Sequence, residues 1–126
     1  MECAIDYTSV STQYATYVQG TLYRTTDSWA NKTTITPSSS GAGAWVTPYS
    51  IDPNTNTTLY AGYADVWKST NQGTAWSQIS TWAGSTLRSL AVAPSNSNYI
   101  YRWRFKLDKY NRNTADRIGQ YNLYIS

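Results

Sequence analysis

The feature that most constrains this chain is that it repeats itself. Ile5-Asp6-Tyr7 returns as Ile51-Asp52-Pro53 and again as Val92-Ala93-Pro94. Tyr14-Ala15-Thr16-Tyr17 returns as Tyr60-Ala61-Gly62-Tyr63, and Leu22-Tyr23-Arg24-Thr25-Thr26-Asp27 as Val66-Trp67-Lys68-Ser69-Thr70-Asn71. A third copy opens with Pro94-Ser95-Asn96-Ser97-Asn98-Tyr99-Ile100-Tyr101, which matches Pro53-Asn54-Thr55-Asn56-Thr57-Thr58-Leu59-Tyr60. The spacing is roughly 41–46 residues, the length of a four-stranded propeller blade. A unit of this size cannot bury its hydrophobic face alone, so the fold must stack neighbours.

Within a unit the text reads as short strands between turn signals. In the second, strands are expected over Val46–Ile51, Thr58–Tyr63, Asp65–Lys68 and Ala75–Ile79. Asp52-Pro53-Asn54-Thr55-Asn56 and Ser69–Thr74 form the turns, with Gly73 free to adopt positive φ. Arg88–Val92 opens the third unit, and Ser38-Ser39-Ser40-Gly41-Ala42-Gly43 is a flexible connector between the first two. No stretch has helical periodicity. The division expected is 1–40 for the first unit, 41–86 for the second and 87–126 for a partial third.

Composition agrees with a β fold. Six Trp, twelve Tyr and one Phe supply large side chains to bury, while helix formers are scarce beside Thr, Ser, Tyr and Val. The charged fraction of 13% is about half the ordinary share. With no His and a single cysteine, Cys3, the chain has no internal disulfide, no His-based triad and no zinc-finger ligand set; no metal or cofactor is expected. No run is long enough for a membrane span, and no signal peptide opens the sequence.

Charge is unevenly spread. Residues 1–100 are nearly balanced, whereas 101–126 carry Arg102, Arg104, Lys106, Lys109, Arg112 and Arg117 against Asp108 and Asp116. A basic aromatic patch can bind nucleic acid, but the slightly acidic body makes that partner unexpected, and cations that blunt an exposed strand explain the tail. Tyr99, Tyr101, Trp103, Phe105 and Leu107 alternate with Ile100, Arg102, Arg104 and Lys106, a strand pattern; Asn111–Gly119 reads as loop and Tyr121–Ile125 as a last short strand. Back-translating Arg102–Ser126 with permitted codons and reading one base later gives GGVSNLTNITGTLPTGSANITYIS, far closer to blade text. A frame-shifted end is therefore one reading of the tail, which the coding DNA tests.

Ser69-Thr70-Asn71-Gln72-Gly73-Thr74-Ala75-Trp76 resembles the Asp-box, or BNR repeat, of sialidase-like and xyloglucanase-like β-propellers. Asn71 stands in place of the box Asp and Ala75 in place of a Thr. Thr25-Thr26-Asp27-Ser28-Trp29 looks like a shortened second copy that keeps the Asp and a Trp. The resemblance covers residues 3–101 and implies an all-β fold of antiparallel four-stranded blades, two plus part of a third. It also implies structural roles for Ser69, Asn71, Gly73, Trp76, Asp27 and Trp29, with the acidic or amide side chain bonding turn N–H groups and the Trp packing under the hairpin.

Glycoside hydrolysis needs two carboxylates placed across a sugar. Asp6, Asp27, Asp52 and Asp65 are available, but each has a turn role, and the arginine triad and nucleophilic Tyr of sialidases cannot be placed, so no catalytic residue is assigned. Cys3 has no His partner to activate it. Trp45, Tyr49 and Trp82, in connectors or at strand ends, are candidates for stacking on sugars, with packing between blades as the alternative. Asn31-Lys32-Thr33 and Asn56-Thr57-Thr58 match the glycosylation sequon, a weak signal in a Thr/Asn-rich chain. The expected function is a non-catalytic recognition or scaffold module of a secreted or cell-surface protein, with carbohydrate, neighbouring blades or a second copy as partner. The alternatives are a fragment of a propeller glycoside hydrolase, or an engineered or frame-shifted product without evolved function.

Overall fold

The computed structural model describes residues 2–81, 86–107 and 113–122, and the side chains of 2–81 and 86–101. Three antiparallel sheets follow one another along the chain. Cys3–Asp6 (β1), Ser9–Tyr17 (β2), Thr21–Thr25 (β3) and Thr33–Thr34 (β4) form the first, a four-stranded meander in chain order. Tyr49–Ile51 (β5), Leu59–Gly62 (β6), Val66–Ser69 (β7) and Ser77–Gln78 (β8) form the second in the same order. Ser89–Val92 (β9), Tyr99–Leu107 (β10) and Asn113–Asn122 (β11) form the third, with β10 in the middle. The only helical element among the described residues is a single 3-10 turn at Val18–Gly20. The architecture is thus all-β and antiparallel, two four-stranded sheets followed by one of three strands, as the repeat and composition require.

The strands are shorter than their sequence patterns, and the tail differs outright. β5 begins at Tyr49 rather than Val46, and β8 is Ser77–Gln78 alone. The stretch expected to be loop, Asn111–Gly119, instead lies largely within β11, which pairs with β10 from Leu107↔Asn113 to Tyr99↔Asn122. Its Asn, Asp and Gly residues have little β propensity of their own; the ladder offered by β10 overrides it.

Alternation along the strands sorts side chains onto two faces. In β2 and β3, Tyr14 and Leu22 face one way; Ala15 and Tyr23, paired across the ladder, face the other. Tyr14 and Leu22 meet Leu59, Ala61 and Trp67 of the second sheet in one buried layer, which also holds Ile35 and Tyr63. The opposite face of the second sheet gives Tyr60 and Val66 to a second layer with Leu87, Val92 and Ile100. The second sheet is therefore covered on both sides. Each buried Leu or Ile in these layers contributes about 1.5–3 kcal/mol by leaving water.

Polar bonds register the sheets. The Tyr63 hydroxyl donates to the Gly20 carbonyl at 2.6 Å, the Trp76 indole Nε1 to the Ile35 carbonyl at 2.6 Å, and Arg24 Nη1 to the Gln72 carbonyl at 2.7 Å. Asp6, buried in the β1–β2 turn, accepts from the Thr8 backbone N–H and hydroxyl at 2.7 Å each, and from Asn56 Nδ2 of the second sheet at 3.1 Å. One unit on, Asp52 accepts from the Asn54 N–H at 2.7 Å and from the Ser97 hydroxyl of the third unit at 2.7 Å. Asn56 and Ser97 occupy the same repeat position, as do Asp6 and Asp52. The same clamp is thus used at both seams.

Candidate functional site

Between β7 and β8, the Ser69 hydroxyl donates to Asn71 Oδ1 at 2.9 Å and accepts from the Gly73 N–H at 2.8 Å, while Asn71 Oδ1 also takes the Ala75 N–H at 2.9 Å. Between β3 and β4, the Thr25 hydroxyl donates to Asp27 Oδ1 at 2.8 Å and accepts from the Trp29 N–H at 2.9 Å, and Asp27 Oδ1 takes the Asn31 N–H at 2.8 Å. The two turns are wired alike. Both bend through two residues at positive φ, Gln72 (58°) with Gly73 (87°) and Ser28 (56°) with Trp29 (73°).

This wiring corrects the reading of Trp29. It stands where Gly73 stands, not where Trp76 does; the position matching Trp76 is Lys32. A Trp held at positive φ is an outlier for a bulky residue. Its backbone is fixed by the Thr25 hydroxyl, and its indole Nε1 donates to Gln13 Oε1 at 2.8 Å. Trp76 is half-buried against the layer between the first two sheets.

Among the described residues, the carboxylates of Asp6, Asp27, Asp52 and Asp65 all accept structural hydrogen bonds. Donation from the Asn31 backbone and side chain, with the Thr25 hydroxyl, holds Asp27 below its ordinary pKa. Burial pushes Asp6 upward, yet the bonds from Thr8, Asn56 and Ser9 outweigh it and leave the carboxyl below the ordinary value. Asp65 accepts from Gln78 Nε2 at 3.2 Å and the Ser80 hydroxyl at 3.1 Å. Among the described residues no group of His, Cys, Asp or Glu is placed to hold a metal.

Of the three stacking candidates, Tyr49 belongs to the interior. Its ring packs on the layer between the first two sheets, its hydroxyl donates toward the carbonyls of Tyr14 (3.0 Å) and Glu2 (3.3 Å), and burial pushes its pKa up. Trp45 is 66% exposed in the connector before β5. Trp82 lies outside the described residues.

The surface that sequence reasoning missed is the outer face of the first sheet. Cys3, Ala15, Tyr17, Tyr23, Trp29 and Lys32 line an open, mostly apolar groove of about 490 Å³. Lys32 Nζ sits 4.4 Å from the centre of the Tyr23 ring, a cation–π contact. The signal was present in the repeat: Cys3, Ala15 and Tyr23 match Tyr49, Ala61 and Trp67, which pack against another sheet.

Antiparallel sheets of up to four strands, each packed face to face on the next, match the construction of a β-propeller. Solved propeller enzymes share it. The chain is similar to an ancestral GH74 enzyme, with TM-score 0.69 and 18% identity over 94% of this chain and 19% of that one. It is likewise similar to the GH74 enzyme of Niastella koreensis, with TM-score 0.66 and 20% identity over 95% of this chain and 22% of that one. The chain thus spans about a fifth of the length of those enzymes. No protein-family model matches it, and no curated protein does.

Proposed function

We propose that the chain is a run of blades from a propeller of the glycoside-hydrolase kind, serving as scaffold rather than supplying the catalytic carboxylates. The units are 1–40, 41–86 and 87–126, the turns at 25–32 and 69–76 are its Asp-boxes, and the parent protein acts outside the cell. The observation that carries this reading is the engagement of Asp6, Asp27, Asp52 and Asp65 in turn and seam bonds, in a fold shared with GH74 enzymes. A hydrolase needs an acid and a base or nucleophile facing a sugar, and carboxylates occupied by structural donors do not meet that need. Reducing-end release from plant β-glucans is the test. No turnover is expected; turnover abolished by Asp65→Asn or Asp52→Asn overturns the scaffold reading.

Trp45, with its broad exposed ring, supports a secondary role in holding carbohydrate. Intrinsic fluorescence during titration with glucan oligosaccharides tests it, with Trp45→Ala expected to remove the response.

A further inference from the structure

The two open ends of the stack match each other. At each internal seam the downstream face of one unit, carrying Tyr14 or Tyr60, covers the upstream face of the next. The upstream residues are Leu59 and Ala61 in the second unit, Val92 and Ile100 in the third. Tyr101 holds the same repeat position as Tyr14 and Tyr60, and together with Ala91, its partner across the ladder, it faces away from the buried layer. Tyr101 is left 42% exposed there. At the other end, the upstream face of the first unit carries Ile5, 57% exposed, beside the groove of Ala15 and Tyr23. One end thus offers what the other end accepts.

The seam clamps give an independent sign of the same match. Internally a polar side chain, Asn56 or Ser97, reaches back to an aspartate, Asp6 or Asp52. At the ends both halves of the clamp are apolar. The residue matching Asn56 in the first unit is Val10, 79% exposed, and the residue matching Asp52 in the third is Ala93. A buried Asn opposite Ala, or an Asp opposite Val, would leave a polar group without a partner; Val10 opposite Ala93 leaves none.

We propose that the outer face of the first sheet is a docking surface for a second copy of this chain, joined head to tail. Tyr101 and Ala91 of one copy cover Ile5, Ala15 and Tyr23 of the other, and Ala93 meets Val10. The contact is heterologous: the two surfaces differ, and the joined pair keeps one free face of each kind. Burial of exposed aromatic surface drives it, since monomers rarely leave contiguous apolar patches of more than a few hundred Å² in water.

Mixing two variants tests this directly. Tyr101→Lys blocks the tail face and Ile5→Lys the head face; both positions are exposed, and circular dichroism checks that each variant folds. In sedimentation equilibrium at micromolar concentration the parent chain is expected above 14.1 kDa, and each variant alone at 14.1 kDa. An equimolar mixture is expected to recover a dimer, because each variant retains the face the other lacks. A parent chain that stays at 14.1 kDa throughout overturns the proposal. So does a mixture that remains monomeric, or a variant that still dimerises alone. A monomer whose fluorescence response to glucan oligosaccharides survives Trp45→Ala but is lost in Trp29→Ala overturns it too, and assigns the groove to sugar. None of these outcomes depends on whether the chain hydrolyses glucans.

Discussion

Tyr14 and Tyr63 are both fully buried, yet their hydroxyls have opposite fates. The Tyr14 hydroxyl has no hydrogen-bond partner among the described residues, and burial, aided by Asp6, pushes its pKa up to about 12. The Tyr63 hydroxyl donates to the Gly20 carbonyl. A net hydrogen bond is worth about 1 kcal/mol, whereas an unpaired buried hydroxyl is a cost. Tyr14→Phe should therefore leave stability unchanged or raise it, and Tyr63→Phe should lower it by about 1 kcal/mol; urea denaturation of both variants checks the pair. Gly73 offers a second comparison. An added Cβ there would lie 2.6 Å from Ile35 Cδ1 and 2.9 Å from Ile35 Cβ, on top of a φ of +87°. Gly41 also has a positive φ, +72°, but open space around it. Gly41→Ala should cost about 1–2 kcal/mol from backbone strain alone, and Gly73→Ala clearly more, read as a lower melting temperature. The acid limb adds a third. Asp6 and Asp27 both have folded pKa values below their unfolded ones. The stability they supply is then present above about pH 4 and is lost as pH falls through the folded values. Asp27→Asn keeps an acceptor oxygen but removes the titration, so its stability should fall less steeply than the parent's below pH 4.

At the scale of elements, the seams depend on paired side chains from successive turns. Ser97 donates to Asp52, and Asn54 Nδ2 in turn donates to Ser97 at 2.8 Å. A double-mutant cycle over Asp52→Ala and Ser97→Ala should give a coupling of about 1 kcal/mol; additive losses would show that the two turns act independently. Much of this layer of structure was legible beforehand. The repeat of Ile5-Asp6 with Ile51-Asp52 marked both turns. Trp29 misled because its match to a motif Trp was by residue type. What aligns the turns is the hydroxyl at Thr25 and Ser69, which counts residues from the strand end and puts Trp29 at the glycine position. The clamp could not be read at all, because Asn56 and Asp6 are fifty residues apart and meet only when the sheets stack. β11 was hidden for a similar reason: its pairing with β10, not its polar composition, makes it a strand.

For the whole molecule, the middle sheet is decisive. Its two faces belong to two different buried layers, whereas, among the described residues, each outer sheet contributes to one. Amide exchange should accordingly be slowest at Tyr60, Ala61 and Trp67, with the first sheet opening before the second. Slower exchange at Tyr14 and Leu22 than at Ala61 would show that the first sheet is the stable nucleus instead. The free Cys3 thiol, exposed at the edge of the groove, takes no part in holding the sheets together.

The clamps also have a direction. Asn56 reaches back to donate to the unit before it, while Asp52 accepts from Ser97 of the unit after it and Asn54 donates to that same hydroxyl. The middle unit alone carries both a polar donor and a carboxylate acceptor, so it is its own compatible neighbour. A gene encoding residues 41–86 several times in tandem would satisfy every internal junction with the same pair of side chains. In such an array the count of cassettes, rather than any change in their text, would decide when the curve closes into a ring.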